Sequence, residues 1–219
     1  MDWRVALYYP IGVLPSLFFT LRFVIQWIQS ERRKESYVTP LFWKLSITGN
    51  ILLLLHYIIQ IQFPFALIQA GNGVISWRNL NLMGSVEKRS TVRFVFLLLS
   101  VVILSVTGIF LYQGEMIRIP TKLWQESPEL QHDMVWHMLG VVGGILFASR
   151  FWIQWWQSET QQKSHLGRTF WSLSIVGSIL MLFYFIRIQD HISIMNYSFG
   201  LIPYVRNLFL LRRKTVANS

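Results

Sequence analysis

The chain of 219 residues has no cysteine and few charged side chains. Without cysteine there can be no disulfide, no thiolate metal site and no cysteine nucleophile. Only 14% of the residues are charged, against roughly a quarter in a soluble domain. The sequence also has no phosphate-binding loop, no nucleophile elbow and no paired catalytic carboxylates. We therefore expect neither a cofactor nor a metal, and the pattern favours a protein that is not an enzyme.

Apolar residues take the place of the missing charges, and they occur in long runs. They make up 53% of the chain, and the mean hydropathy is +0.42. A run of about 20 residues spans the roughly 30 Å hydrocarbon core of a bilayer. The runs predict an all-α transmembrane fold with seven helices, near residues 5–28, 41–61, 64–82, 92–112, 134–156, 169–189 and 192–211.

Positive charge is concentrated on one side of the predicted spans. The net charge is +10, and of the 20 Lys and Arg residues only Arg4, Arg118, Lys122 and Arg187 lie nearer the other side. By the positive-inside rule the basic side is cytoplasmic. The sequence therefore predicts a multi-pass membrane protein with its N-terminus outside and its C-terminus in the cytoplasm. Membrane topology explains the net charge, so no nucleic-acid partner is expected.

The strongest signal in the sequence is an internal repeat. Residues 22–30 read RFVIQWIQS and residues 150–158 read RFWIQWWQS. The offset of 128 holds without a gap over residues 22–82, with 23 identities in 61 positions. Polar residues match in register along with apolar ones, which similarity of composition alone does not produce. The chain is therefore predicted to contain two copies of one three-helix unit.

The repeat predicts three parts of the chain. Residues 1–82 contain the first copy, residues 83–133 form a linker with the fourth helix and an external loop, and residues 134–219 contain the second copy and a basic cytoplasmic tail. Because each copy has three helices, a second copy that followed directly would enter the membrane from the opposite side and be inverted. The fourth helix restores the direction of the second copy. The two copies are thus predicted to lie parallel, in a 3+1+3 arrangement about an axis along the membrane normal. Parallel repeats of this kind place a substrate path near the interface between the halves.

Arginines within the apolar spans are the first candidates for a binding site. Arg22 and Gln26 lie on one helical face, and Arg150 and Gln154 repeat that face. Arginine inside a membrane costs a few kcal/mol unless it is paired or reaches the headgroups. Because arginine binds phosphate through two parallel hydrogen bonds, the pattern predicts a clamp for a phosphate or pyrophosphate. The candidate binding residues are Arg22, Gln26, Glu31, Arg78, Asn79, Arg150, Gln154, Glu159, Arg206 and Asn207.

A structural interpretation of the same residues stays open. Arg22 could pair with Glu31, and each arginine could simply reach the lipid headgroups. Asn79 and Asn207 could bind a ligand or cap helix ends. Four tryptophans are expected in an aromatic belt at the cytoplasmic interface, with sugar stacking as the alternative: Trp27, Trp43, Trp155 and Trp171. Small residues at fixed spacing are typical of close helix packing: Ser46, Gly49, Ser174 and Gly177.

The repeated pattern resembles the lipid A biosynthesis N-terminal domain family. The residues that carry the resemblance are R-F-x-x-Q-W-x-x-S-E, a following Ser, F-W, S-x-x-G and R-N-L, and they recur in both copies. Members of that family are small membrane proteins, and some precede a lipid-A-disaccharide synthase in the same chain. The family is related to the PQ-loop and SWEET-like three-helix transporters, so the resemblance implies the 3+1+3 arrangement of SWEET proteins.

The resemblance implies a role in lipid A or other cell-envelope glycolipid biosynthesis, in the inner (cytoplasmic) membrane of a bacterium. The expected function is binding or translocation of an anionic lipid-linked saccharide, such as a lipid A precursor, by rocking of the two halves around a polar interface. The expected partners are membrane lipids, that glycolipid and a cytosolic lipid A glycosyltransferase. One alternative is a membrane anchor or scaffold for a lipid-A-disaccharide synthase that transports nothing. Another is a facilitator of small free sugars, although a neutral sugar would give the repeated arginines nothing to pair with.

Overall fold

The computed structural model describes residues 3–116, 134–187 and 191–217. Within these ranges the chain is helical, with seven α-helices and one short 3₁₀ turn at Val86–Lys88. The helices are α1 Trp3–Arg33, α2 Pro40–Ile59, α3 Phe63–Leu82, α4 Val92–Gln113, α5 Met134–Gln161, α6 Arg168–Arg187 and α7 His191–Ala217. The all-helical prediction and the number of helices are confirmed. The predicted external loop around Ser127 lies outside the described residues.

The helix bounds follow the sequence repeat residue by residue. Helices α1 and α5 end at equivalent positions, α2 and α6 begin and end at equivalent positions, and α3 and α7 begin at equivalent positions, all at the offset of 128. Both α1 and α5 are five residues longer at the C-terminal end than the apolar runs predicted. The added turns contain Ser30 and Glu31 in α1, and Ser158 and Glu159 in α5. These polar residues are outside the apolar pattern but compatible with a helix.

The two long helices end with the same local structure. Lys34 and Gln162 follow the last helical turns with positive φ angles of 55° and 50°. The backbone N–H of the next residue then reaches back to the carbonyl of Ser30 in α1 (3.2 Å) and of Ser158 in α5 (3.1 Å). A left-handed residue with this bond closes a helix C-terminus. The two copies therefore share local geometry as well as sequence.

Five of the described helices are long and apolar enough to cross a membrane. They are Ile11–Arg33 within α1, α2, Val86–Gln113 including α4, Met138–Gln161 within α5, and α6. Helices α3 and α7 were also predicted as spans from the sequence and do not reach that level. In α3, Gln69, Asn72, Arg78 and Asn79 lower the mean hydropathy. A helix with several polar side chains needs protein neighbours rather than lipid around it.

The described residues divide into two compact units, and each unit contains a segment from the opposite copy. The first unit holds the described residues of ranges 1–26, 38–119 and 155–164, and the second those of 27–37, 120–154 and 165–219. In the first unit α3 packs against α2 and α4, and in the second α6 packs against α7. The core of the first unit includes Val74, Ile75, Val95 and Leu99, together with Trp155 from the end of α5.

Close helix packing depends on a repeated glycine, as the sequence predicted. A methyl group added at Gly49 in α2 would lie 2.6 Å from the ring of Phe19 in α1. At Gly177 in α6 it would lie 2.9 Å from the backbone N of Phe147 in α5. Glycine at these positions brings the first and second helix of each copy into direct contact.

Candidate functional site

Within the described residues two ion pairs link the copies, and both use the same two guanidinium nitrogens. In the first unit Nε and Nη2 of Arg78 donate to Oε2 and Oε1 of Glu159, at 2.8 and 2.5 Å. In the second unit Nε and Nη2 of Arg206 donate to Oε1 and Oε2 of Glu31, the latter at 2.8 Å. Each arginine thus forms the two parallel bonds that a planar guanidinium favours. Each glutamate pairs with the third-helix arginine of the opposite copy.

The two ion pairs differ in their exposure to solvent. The side chains of Arg78 and Glu159 are 2% and 6% exposed, and we call them the buried pair. Those of Arg206 and Glu31 are 38% and 36% exposed, and we call them the half-exposed pair. Because a surface ion pair contributes about 0–1 kcal/mol and breaking a buried one costs about 3–5 kcal/mol, the same chemistry has different consequences in the two units.

Further hydrogen bonds hold the buried pair in place. Nη1 of Arg78 donates to Oδ1 of Asn81 at 2.7 Å and to the carbonyl of Ser90 at 2.6 Å. The end of α5 is fastened nearby, because Oγ of Ser164 donates to Oδ1 of Asn79 at 2.8 Å. Nearly all donors of Arg78 are therefore engaged, which supports a structural role for this arginine.

Arg22 lies inside the first unit, on α1, and is 5% exposed. Its Nη1 donates to Oγ of Ser46 in α2 at 2.7 Å. The guanidinium carbon lies 4.5 Å from the ring centre of Phe19, 4.8 Å from Phe23 and 5.3 Å from Phe42. Each of these distances is within the range of a cation–π interaction.

Arg150 occupies the equivalent place in the second unit and is 3% exposed. Its guanidinium carbon lies 3.3 Å from the ring centre of Phe147 and 5.0 Å from Phe151. Phe170 and Tyr204 are each 5.6 Å away. The first three rings are the counterparts of those around Arg22, at the offset of 128. We call Arg22 and Arg150 the caged arginines.

The glutamines and asparagines of the repeat are also buried. Gln26 is fully buried, and Nε2 of Gln154 donates to the carbonyl of His165 at 3.0 Å. Nδ2 of Asn79 donates to the carbonyl of Ile75 at 3.0 Å, and Nδ2 of Asn207 to that of Pro203 at 2.8 Å. Both asparagine amides thus donate to the carbonyl four residues earlier in their own helices, rather than to a helix end.

The ten residues predicted from the sequence are divided equally between the two units. Arg22, Gln26, Arg78, Asn79 and Glu159 belong to the first unit, and Glu31, Arg150, Gln154, Arg206 and Asn207 to the second. From the sequence, Glu31 was a possible partner of Arg22. In the structure both carboxylate oxygens of Glu31 accept hydrogen bonds from Arg206 instead. In each unit one arginine forms an ion pair with a glutamate and the other is surrounded by aromatic rings. A clamp formed by all four arginines stays a prediction.

Sequence reasoning missed a group of buried polar contacts between α2 and α3. Nδ2 of Asn50 donates to Oγ of Ser76 at 3.3 Å, and Oγ of Ser76 donates to the carbonyl of Asn72 at 2.7 Å. The second copy has Ser178 in place of Asn50 and Tyr204 in place of Ser76. A search for residues that are identical in the two copies ignores positions at which the copies differ. The polar side chain of Asn50, within the apolar run of α2, was the signal that could have revealed this contact.

The predicted aromatic belt is wrong for three of its four tryptophans. Trp43 and Trp171 are fully buried, and Trp155 is 5% exposed. Nε1 of Trp171 donates to Oγ of Ser36 and to the carbonyl of Leu166, both at 3.1 Å. Hydrogen bonds hold Trp171, Trp43 packs edge-on against Phe42, and Trp155 packs edge-on against Phe96. Of the four tryptophans only Trp27 is partly exposed.

The geometry and the repeat agree with a family whose model matches the chain twice. The Lipid A Biosynthesis N-terminal domain model matches residues 11–81 and again residues 139–209. Each match contains a caged arginine and the third-helix arginine of one ion pair. The chain belongs to the lipid A biosynthesis N-terminal domain family, with the domain present in two copies.

Curated relatives with similar sequences are lipid-A-disaccharide synthases. The synthase of Chlamydia caviae is 37% identical over 219 residues, which covers 97% of this chain and 34% of the relative. That of Chlamydia pneumoniae is 38% identical over 216 residues, covering 96% and 34%. That of Chlamydia trachomatis serovar D is 33% identical over 212 residues, covering 94% and 34%. The chain spans about a third of the length of these relatives, and no solved structure matches it.

Proposed function

We propose that the chain is a membrane-embedded protein of lipid A or related envelope-glycolipid biosynthesis that binds, and translocates, an anionic lipid-linked saccharide. The observation that carries the proposal is the pair of caged arginines. Arg22 and Arg150 repeat at equivalent positions in apolar helices and contact equivalent aromatic rings. Membership of a lipid A biosynthesis family supports a phosphorylated glycolipid as the ligand.

The chemistry of a stacked arginine suits a phosphate ligand. A guanidinium packs its flat faces against rings and directs its N–H groups outward in the plane. The same side chain can therefore stack on Phe147 or Phe19 and donate to a phosphate oxygen at its edge. Cation–π contacts offset part of the cost of burying the charge, by up to about 2 kcal/mol when desolvated. An anionic headgroup would offset more of it.

We assign different roles to the ten candidate residues. In this proposal Arg22 binds an anionic group in the first unit and Arg150 binds one in the second, with Gln26 and Gln154 one turn further along the same helical faces. Glu31 and Arg206 form the half-exposed pair, and the remaining four hold the third helices and the end of α5: Arg78, Asn79, Glu159 and Asn207. Movement of the two halves, as in SWEET-like proteins with a 3+1+3 arrangement, would carry the ligand between leaflets.

The proposal places the chain in a bacterial inner membrane, with the N-terminus outside and the C-terminus in the cytoplasm. The asymmetric distribution of Lys and Arg along the sequence supports this orientation. A reporter fused after Ser219 should be active in the cytoplasm, and one inserted near Ser127 should be active outside. Cytoplasmic activity at Ser127 would contradict the orientation.

Native mass spectrometry of the purified chain tests the proposed ligand. The protein is expressed in a bacterium that makes lipid A and is transferred from detergent to the gas phase with bound lipids. A phosphorylated saccharide lipid should remain bound to the wild-type chain and be lost from an Arg22→Gln, Arg150→Gln double variant that still melts cooperatively. Retention of the same lipid by a folded double variant would refute the role of these arginines.

The relatives favour a second candidate, a membrane anchor for a lipid-A-disaccharide synthase. In those relatives the matching segment is about a third of one longer chain that bears the synthase name. This segment could serve such an enzyme by holding it beside its membrane substrate. Purified synthase should then bind nanodiscs that contain this protein and not empty nanodiscs. An anchor without ligand binding would show that association and no glycolipid by mass spectrometry.

A further inference from the structure

We propose that the carboxylate of Glu31 occupies the position of an anionic headgroup, and that Arg206 and Trp27 form a second anion-binding site that this carboxylate blocks. The inference rests on the proposed function, because it assigns a further site to the same ligand class. The half-exposed pair is then an exchangeable contact. The ligand is a phosphate monoester, either on a lipid or free in solution.

Three N–H donors converge on the carboxylate of Glu31. Nε and Nη2 of Arg206 donate to its two oxygens. Nε1 of Trp27, one turn earlier in α1, donates to Oε1 at 3.2 Å. A phosphate offers three oxygens to donors arranged in this way, and the two arginine bonds keep the same fork for phosphate as for carboxylate.

The buried pair in the first unit is the equivalent contact in a permanent form. Glu159 and Arg78 are nearly fully buried, and Arg78 makes additional bonds to Asn81 and Ser90. Trp155, the counterpart of Trp27, packs in the core with Val74 and Val95. An anion from outside could reach Arg78 only if this core opened.

The half-exposed pair in the second unit is not enclosed in this way. More than a third of each side chain in the half-exposed pair is exposed, so an incoming anion can meet Arg206 before Glu31 has left it. Neighbouring charge favours its approach, because Arg32 and Arg33 in the last turn of α1 are both exposed. A cluster of positive side chains raises the local concentration of anions.

Exchange is possible because the competing contact is weak. An exposed ion pair contributes a modest free energy, since water screens both charges. Removal of the negative charge at Glu31 should therefore tighten anion binding by about two- to five-fold, the factor that corresponds to about 0.4–1 kcal/mol. Removal of the charge at Arg206 should weaken it. Opposite effects at the two members of one ion pair distinguish an anion site from a purely structural contact.

The test uses the full chain in phosphatidylcholine nanodiscs and two phosphate probes. Phosphatidic acid doped into the nanodisc reports a lipid headgroup, with diacylglycerol as the control that has the same acyl chains and no phosphate. Inorganic phosphate added to undoped nanodiscs reports a free anion. Binding is measured for wild type, Glu31→Gln, Arg206→Gln and Arg206→Lys, with Glu159→Gln as the matched control from the buried pair.

We expect Glu31→Gln to bind phosphatidic acid two- to five-fold more tightly than wild type, and Arg206→Gln to bind it more weakly. Arg206→Lys should fall between wild type and Arg206→Gln, because lysine keeps the charge and loses the fork. Glu159→Gln should not tighten binding. The same order with inorganic phosphate, and not with phosphatidic acid, would assign the site to a free anion.

Thermal melts in the nanodisc separate folding from binding. Glu31→Gln should melt close to wild type, so a change in affinity cannot be attributed to unfolding. Equal or weaker binding by folded Glu31→Gln with both probes would overturn the inference. That result, with a glycolipid still bound to wild type in the mass spectrometer, would leave the proposed function standing. Absence of that glycolipid would count against the proposed function, whatever Glu31→Gln does with the simple probes.

Discussion

The buried pair and the half-exposed pair are the same arginine–glutamate contact in two environments. The identical atoms meet in both, and the residues occupy equivalent positions of the repeat. Around Arg78 and Glu159 the helices exclude water, and the desolvated charges need the added bonds from Asn81 and Ser90. Arg206 and Glu31 are partly exposed, so solvent screens their charges and fewer added bonds are needed. Duplication thus preserved the contact, while burial determines whether it is structural or exchangeable.

The largest expected difference is in stability. Glu159→Gln removes one charge of the buried pair and leaves Arg78 charged in a dry environment, so the free energy of unfolding should fall by about 3–5 kcal/mol. Glu31→Gln should lower it by at most about 1 kcal/mol. Denaturant unfolding in detergent, followed by helical circular dichroism, measures both. Similar losses for the two variants would show that burial does not separate the pairs.

The repeated glycine gives a second comparison between the copies. Alanine at Gly177 would contact the backbone of Phe147, which cannot move aside, whereas alanine at Gly49 would contact the ring of Phe19, which can rotate. Gly177→Ala should cost about 2–3 kcal/mol and Gly49→Ala about 1 kcal/mol, within the range for overpacked cores. The control is Gly108→Ala in α4, where nothing lies within 4 Å.

The glycine variants are measured by thermal unfolding of the purified chain. Gly108→Ala should be neutral or stabilising by up to about 1 kcal/mol, because alanine is the better helix former. If Gly49→Ala destabilised more than Gly177→Ala, contact with the backbone would not be the deciding factor.

The caged arginines give a third and smaller difference. Arg150 stacks closely on Phe147, at 3.3 Å, whereas the nearest ring to Arg22 is at 4.5 Å and Ser46 provides a hydrogen bond. Lysine keeps the charge but cannot stack as a plane. Arg150→Lys should therefore destabilise by about 1–2 kcal/mol, and Arg22→Lys by about half as much. Equal shifts in melting temperature would argue against stacking as the main contact of Arg150.

The sequence predicted the helices well because their apolar runs and the repeat carry independent information. Each boundary fell within a few residues of the structure except the C-terminal ends of α1 and α5, which lie five residues further on, and of α7, which lies six residues further on. Those ends contain polar residues such as Ser30 and Glu31, which a hydrophobic pattern cannot assign to a helix. The left-handed residues Lys34 and Gln162 that terminate α1 and α5 are not glycine, so no residue type marked the boundary.

The partners of the charged residues could not be predicted from the sequence. In a duplicated chain Glu31 and Arg206 lie in different copies, and a pairing of Glu31 with Arg78 would satisfy the repeat equally well. Only the tertiary arrangement decides between them. Likewise, the repeat pointed to Arg22 and Arg150, but it could not show that Phe42 and Phe170, each 20 residues further along the chain, lie near their guanidinium groups.

The ligand claim is tested most directly by one pair of binding measurements. Wild-type protein in nanodiscs is titrated with a phosphorylated saccharide lipid and with the same lipid after enzymatic removal of its phosphate. Charge-assisted hydrogen bonds contribute about 1.5–3 kcal/mol each, so loss of the phosphate should weaken binding at least about tenfold. Equal affinity for the two lipids would contradict an anion site at Arg22 and Arg150.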